Sequence, residues 1–211
     1  MELIAWFVDL VLNLDKHLVE MVREYGVWIY AILFAVIFSE TGFVVTPFLP
    51  GDSLLFVAGA VAATGAMNVH LLVVLLIVAA VLGNSVNYGI GRWLGGWFKA
   101  GGARWLNPRH LESAHAFYER HGGKAVVISR FLPIVRTYIP FVAGLGAMEP
   151  ARFTLFNVVG AVLWVGSLCY AGFFFGNIPW IKGNLTLIIV GIIVVSLLPL
   201  AWAWIKSRRS R

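Results

Sequence analysis

SETGFVVTPFLPGDS, residues 39–53, decides the fold. From Tyr25 to Gly91 the only charged side chains are Glu40 and Asp52, and both lie in this stretch. Gly42, Pro47, Pro50 and Gly51 lie there too. Proline lacks a backbone donor and clashes with the preceding turn, so no continuous helix crosses it. On either side, Tyr25 to Ser39 and Ser53 to Ala63 are apolar but shorter than the roughly 20 residues a spanning helix needs. Residues 25–64 are therefore predicted to form a re-entrant hairpin of two half-helices, shaped by Pro47, Pro50 and Gly51. Broken backbone at membrane depth is satisfied only where protein or water surrounds it, so the hairpin should face inward.

AVVISRFLPIVRTYIPFVAGLGAM, residues 125–148, has the same character, with Arg130 and Arg136 around Pro133 and Pro140 just beyond. It predicts a second re-entrant hairpin. Phe56-Val57-Ala58-Gly59 recurs as Phe141-Val142-Ala143-Gly144, and the same separation places Gly91 on Gly176. An internal repeat is expected, each half a hairpin followed by a spanning helix, with a transport site at the repeat interface.

Uncharged runs at Leu71–Ile90, Phe153–Gly176 and Leu185–Ile205 each reach spanning length. Of the 211 residues, 60% are apolar and 12% charged, against roughly a quarter charged in soluble domains. The formal net charge of +6 comes from clusters beside hydrophobic segments, in residues 92–124 and 206–211. That pattern fits the positive-inside rule rather than nucleic-acid binding and makes both clusters cytoplasmic. The first hairpin then opens outward and the second inward, so the halves are inverted. Leu3, Phe7, Leu10, Leu14, Leu18 and Met21 oppose Asp9, Asn13, Lys16, Glu20 and Glu24, as in an amphipathic helix at the interface or, failing that, a poorly hydrophobic span.

The expected architecture is an all-α polytopic membrane protein in a single domain over 1–211. It comprises an amphipathic helix (1–24), a hairpin plus span (25–92), a cytoplasmic amphipathic loop (93–122), a second hairpin plus span (123–176), a last span (185–205) and a basic tail (206–211).

An ionisable side chain at the bilayer centre costs about 2.5–3.5 kcal/mol, so Glu40, Asp52, Arg130 and Arg136 should pair. Either they form static salt bridges between the hairpins or they act. Arginine's planar, permanently charged fork suits a phosphate, and a carboxylate beside it could take a proton and release it to bind an anionic headgroup. Thr46, Asn84, Asn87 and Tyr88 could line a polar path, although hydrogen bonds between helices account for the helical ones equally well. The lone Cys169 excludes an internal disulfide, no histidine has metal-ligand spacing, and no hydrolase or nucleotide-binding motif is present. No metal, cofactor or covalent catalysis is expected.

FSETGFVVTPFLPGDSLLFVAGA (38–60), YERHGGKAVVISRFLPIVRTYIPFVAGLGAM (118–148) and NVVGAVLW (157–164) together resemble the DedA family of membrane proteins. The resemblance covers nearly the whole chain. It implies a bacterial inner-membrane protein with two opposed re-entrant hairpins that translocates undecaprenyl phosphate, or scrambles phospholipids as related members do, in dependence on the proton-motive force. The family's acidic pair falls on Glu40 and Asp52 and its arginine pair on Arg130 and Arg136. Asn84 departs from an expected aspartate. The partners implied are the lipid phosphate, membrane lipids and protons, and a homo-oligomer is compatible with them. A proton-coupled carrier of small solutes and a non-transporting scaffold are the competing readings.

Overall fold

The computed structural model describes residues 14–43, 51–99, 122–176 and 178–184, with 187, 188 and 190–192. Every regular element among them is helical: α1 (Leu14–Tyr25), α2 (Trp28–Gly42), α3 (Gly51–Ala62), α4 (Val69–Lys99), α5 (Lys124–Ser129), α6 (Pro133–Leu145), α7 (Pro150–Phe175) and α8 (Pro179–Gly183). Thr46, Pro47, Pro50, residues 100–121, most of the expected last span and the basic tail lie outside the described residues.

Within α4 and α7, Val69–Gly96 and Pro150–Phe175 are 28 and 26 residues long and apolar enough to cross a membrane. On α4, Leu71, Val74, Val78, Leu82, Val86, Ile90 and Trp93 recur at steps of three and four and are all exposed, while Leu72, Leu76, Ala79, Ala80, Asn84 and Asn87 are buried on the opposite side. Leu155, Val159 and Val162 repeat the exposed stripe on α7. Water does not favour such continuous apolar stripes, so this surface belongs against lipid. α4 runs past Arg92 to Lys99, beyond the start expected for the cytoplasmic loop at residue 93. The reason is tertiary: Gly91 and Gly95 press against α6, and Arg92 donates from Nη1 to the Tyr88 hydroxyl at 2.8 Å.

The contacts divide the chain into two compact units that cut across the sequence halves. One comprises residues 1–33, 50–75 and 165–211 and the other 34–49 and 76–164, so α2, α4 and α7 contribute to both. In the first unit the amphipathic α1 packs on α3, with Leu18 buried. Leu18, on its apolar face, is thus covered by the protein itself.

Each expected hairpin contains two separate helices, α2 and α3 in the first and α5 and α6 in the second, and their ends are anchored. In the first unit the backbone N–H of Asn68, just after α3, donates to the Tyr30 hydroxyl near the start of α2 at 2.7 Å. In the second unit Gly122, before α5, sits against the guanidinium of Arg152 at the start of α7. The loop after α6 is held there as well, its Met148 carbonyl accepting from the Tyr88 hydroxyl at 2.5 Å.

The second limb of each hairpin docks on glycines. A Cβ on Gly172 of α7 would strike the Phe56 carbonyl oxygen of α3, and one on Gly176 would strike Ala60. In the other unit a Cβ on Gly91 of α4 would strike the Phe141 carbonyl oxygen of α6, and one on Gly95 would lie 2.8 Å from the Leu145 carbonyl. Gly59 and Gly144 match as well, against the carbonyls of Cys169 and Tyr88. The hairpin limbs keep the separation read from the repeated tetrapeptide, but the spans do not. By its contacts Gly91 corresponds to Gly172 rather than to Gly176, whose contact with residue 60 corresponds to that of Gly95 with residue 145. Between limb and span the second half is shorter by about one helical turn, which leaves the same helix face toward the partner.

Candidate functional site: a buried arginine pair

The break between α5 and α6 places both arginines. The backbone N–H groups of Arg130, Phe131 and Leu132 close tight turns onto the carbonyls of Val127, Ile128 and Ser129. Leu132 is then extended, as the residue before a proline prefers to be, and Pro133 restarts the helix at its first position, where no N–H is needed. Arg130 thus projects from the turn and Arg136 from the first turn of α6. Both are buried, as is Glu40 in the last turn of α2.

Arg136 Nη2 and Glu40 Oε1 form a short ion pair. Arg136 also lies over the indole of Trp164, its guanidinium carbon 4.5 Å from the ring centroid, and Arg130 approaches the same ring at 5.9 Å. Such cation–π contacts contribute about 1–2 kcal/mol where water is excluded. Arg130 differs from its neighbour in its partners. Its Nη2 donates to the Ala80 carbonyl at 3.2 Å and to Asn157 Oδ1 at 2.6 Å, both uncharged acceptors. Its Nε and Nη1 are buried without hydrogen-bond partners, and among the described residues no carboxylate pairs with it. One carboxylate therefore stands beside two guanidinium groups, and the uncompensated one has open donors.

Asn157 of α7 ties the cluster to α4. Its Nδ2 donates to the Val81 carbonyl at 3.0 Å and reaches Ser85 Oγ at 3.3 Å, while its Oδ1 also accepts from Asn84 Nδ2 at 3.2 Å. Asn87 Nδ2 donates to the Thr137 carbonyl at 2.7 Å, joining α4 to α6. Of the residues expected to line a polar path, Asn84 and Asn87 are thus part of this network, each with a buried Oδ1 lacking a partner. Tyr88 instead braces the hairpin end, where its ring stacks on Phe153 and its hydroxyl holds the Met148 carbonyl. Thr46 lies outside the described residues. Asp52 occupies the first turn of α3, in the other unit. Pro140 is accommodated inside α6. Among the described residues no cluster of His, Cys, Asp and Glu is suited to hold a metal.

Sequence reasoning missed Asn157 and Trp164. The signal available was that an asparagine in an otherwise apolar span needs a partner, and that a tryptophan in the middle of a span does not belong to an interfacial belt.

The VTT domain model matches residues 49–174, which include both arginines, Asp52, Asn157 and Trp164. Protein DedA of Escherichia coli K12 is 54% identical over 213 aligned positions, covering all of this chain and 97% of that one. An uncharacterised membrane protein of Mycobacterium leprae is 43% identical over 80% of this chain and 77% of its own. The inner membrane protein YqjA of E. coli K12 is 42% identical over 72% and 69%. No solved structure matches. With helices throughout the described residues, lipid-facing apolar stripes, the VTT match over residues 49–174 and full-length similarity to Protein DedA of E. coli, the chain belongs to the DedA family of VTT-domain membrane proteins.

Proposed function

We propose that the chain carries an anionic polyisoprenyl lipid phosphate, undecaprenyl phosphate, across the bacterial inner membrane together with protons. The observation that supports it is the state of Arg130: a buried guanidinium with no carboxylate partner among the described residues and with Nε and Nη1 unsatisfied there. A buried charge without a partner is strongly disfavoured, and a phosphate monoester supplies both the charge and the acceptors. A static pair of salt bridges does not account for this asymmetry.

Arg136 is the second anion ligand in this reading, held by Glu40 until that carboxylate takes a proton. Protonation removes the charge that holds the guanidinium, and Arg136 then turns to the phosphate while Trp164 supports it. Asp52 is the second carboxylate of the coupling. Moving one negative charge inward against an inside-negative potential costs about 2.3 kcal/mol per 100 mV, and one accompanying proton cancels that term. The isoprenoid tail stays in lipid while the headgroup crosses along the protein. In this reading the hairpins are re-entrant, the halves form an inverted repeat and the C-terminus is cytoplasmic. The anchored ends of each hairpin and the matched glycine contacts support it.

The test is transport of undecaprenyl phosphate in proteoliposomes under an imposed pH gradient. Gradient-driven transport should vanish in Arg130→Ala, and Glu40→Gln should lose its dependence on the gradient. Equal movement of zwitterionic phospholipids without a gradient would point to a scramblase instead. Transport of neither by folded protein would leave the small-solute carrier or scaffold.

A further inference from the structure

Among the described residues no acidic side chain neutralises Arg130. Its only side-chain hydrogen-bond partner among the described residues is Asn157, whose orientation is set by the groups around it. The Val81 carbonyl can only accept, so Nδ2 faces it; the Arg130 guanidinium can only donate, so Oδ1 faces that. The Ser85 hydroxyl is directed toward the same Val81 carbonyl at 2.7 Å and leaves its oxygen to accept from Nδ2. Asn84 contributes a donor to Oδ1. Both ends of the Asn157 amide are therefore engaged, and it cannot flip without opposing donor to donor and acceptor to acceptor.

We propose that Asn157 is a positioning residue that orients Arg130 through an uncharged acceptor, holding the guanidinium in place without neutralising it, so that its charge and remaining donors are available to a phosphate headgroup. The idea rests on the headgroup reading above. An aspartate here would provide the same acceptor in nearly the same volume, and its charge would compete with the phosphate. An alanine would remove the orientation but leave Arg130 charged.

That contrast gives opposite rank orders for binding and stability. Asn157→Ala deletes every hydrogen bond of the amide, whereas Asn157→Asp keeps the acceptor to Arg130 and adds an ion pair, losing the donors to Val81 and Ser85. In thermal unfolding the alanine variant should be the less stable of the two. In binding of farnesyl monophosphate to the full-length protein in nanodiscs, the aspartate variant should be the weaker, by at least about tenfold relative to the unaltered protein, with alanine in between. Arg130→Ala in the same assay reports on the site itself. If the unaltered protein binds the probe in an Arg130-dependent way but the aspartate variant binds as well as or better than the alanine variant, Asn157 only packs and the proposal is overturned. If Arg130→Ala binds like the unaltered protein, the headgroup site fails and the role of Asn157 fails with it.

Discussion

In one unit α3 rests on Gly172 of α7 and on Gly176 just beyond it, and in the other α6 rests on Gly91 and Gly95 of α4; Gly172 and Gly91 each face a phenylalanine carbonyl and the N–H four residues on. What lies around the two seats differs. Of the buried polar and charged residues described, only Ser53 belongs to the first unit, while Glu40, Arg130, Arg136, Asn84, Asn87 and Asn157 all belong to the second. Close glycine packing is thus common to both seats, whether or not buried charges lie nearby. Buried ion pairs are poor stabilisers compared with apolar packing, and in the proposed reading the charges of the second unit serve transport.

The largest effect should come from cutting the ion pair. Arg136→Ala leaves Glu40 buried opposite a void and is expected to destabilise the protein by about 3–5 kcal/mol. Replacing both partners, with Glu40→Ala and Arg136→Met together, should recover much of that stability while transport stays abolished. Denaturation in detergent alongside the proteoliposome assay separates the two. Full stability in the single variant would mean that the charges are already solvated.

Next in size are the seats. Gly91→Ala and Gly172→Ala each drive a methyl into a carbonyl of the facing limb, and overpacking of this kind costs about 1–3 kcal/mol. The two losses should be similar, measured by thermal unfolding. A large loss at one and none at the other would break the equivalence of the two packings.

The smallest effects belong to the hairpin ends. Tyr88→Phe removes the short hydrogen bond to the buried Met148 carbonyl and leaves it only the longer one from Arg92 Nη1 at 3.4 Å, for an expected loss of about 1 kcal/mol. Tyr30→Phe removes an acceptor from the exposed N–H of Asn68, which water can replace, and should cost less. Hydrogen exchange at residues 64–69 and 146–150 would show the two ends loosening to different degrees.

Much of this architecture is legible without coordinates. Uncharged runs of spanning length, a density of proline and glycine that no helix tolerates, and charges stranded among apolar residues each follow from the cost of exposing backbone or charge to hydrocarbon. They locate α4, α7 and the shorter helices before each of them, and the VTT match supports the family that the motifs resemble. The pairing of Glu40 with Arg136, the bare state of Arg130, the shared Trp164 ring and the amide of Asn157 were decided only in three dimensions. So was the match of Gly91 to Gly172 rather than Gly176. Which side chains meet depends on how each helix is rotated and where its chain resumes after a break. A one-dimensional pattern fixes which residues must avoid lipid, and only the packing of helix on helix chooses the partners they find.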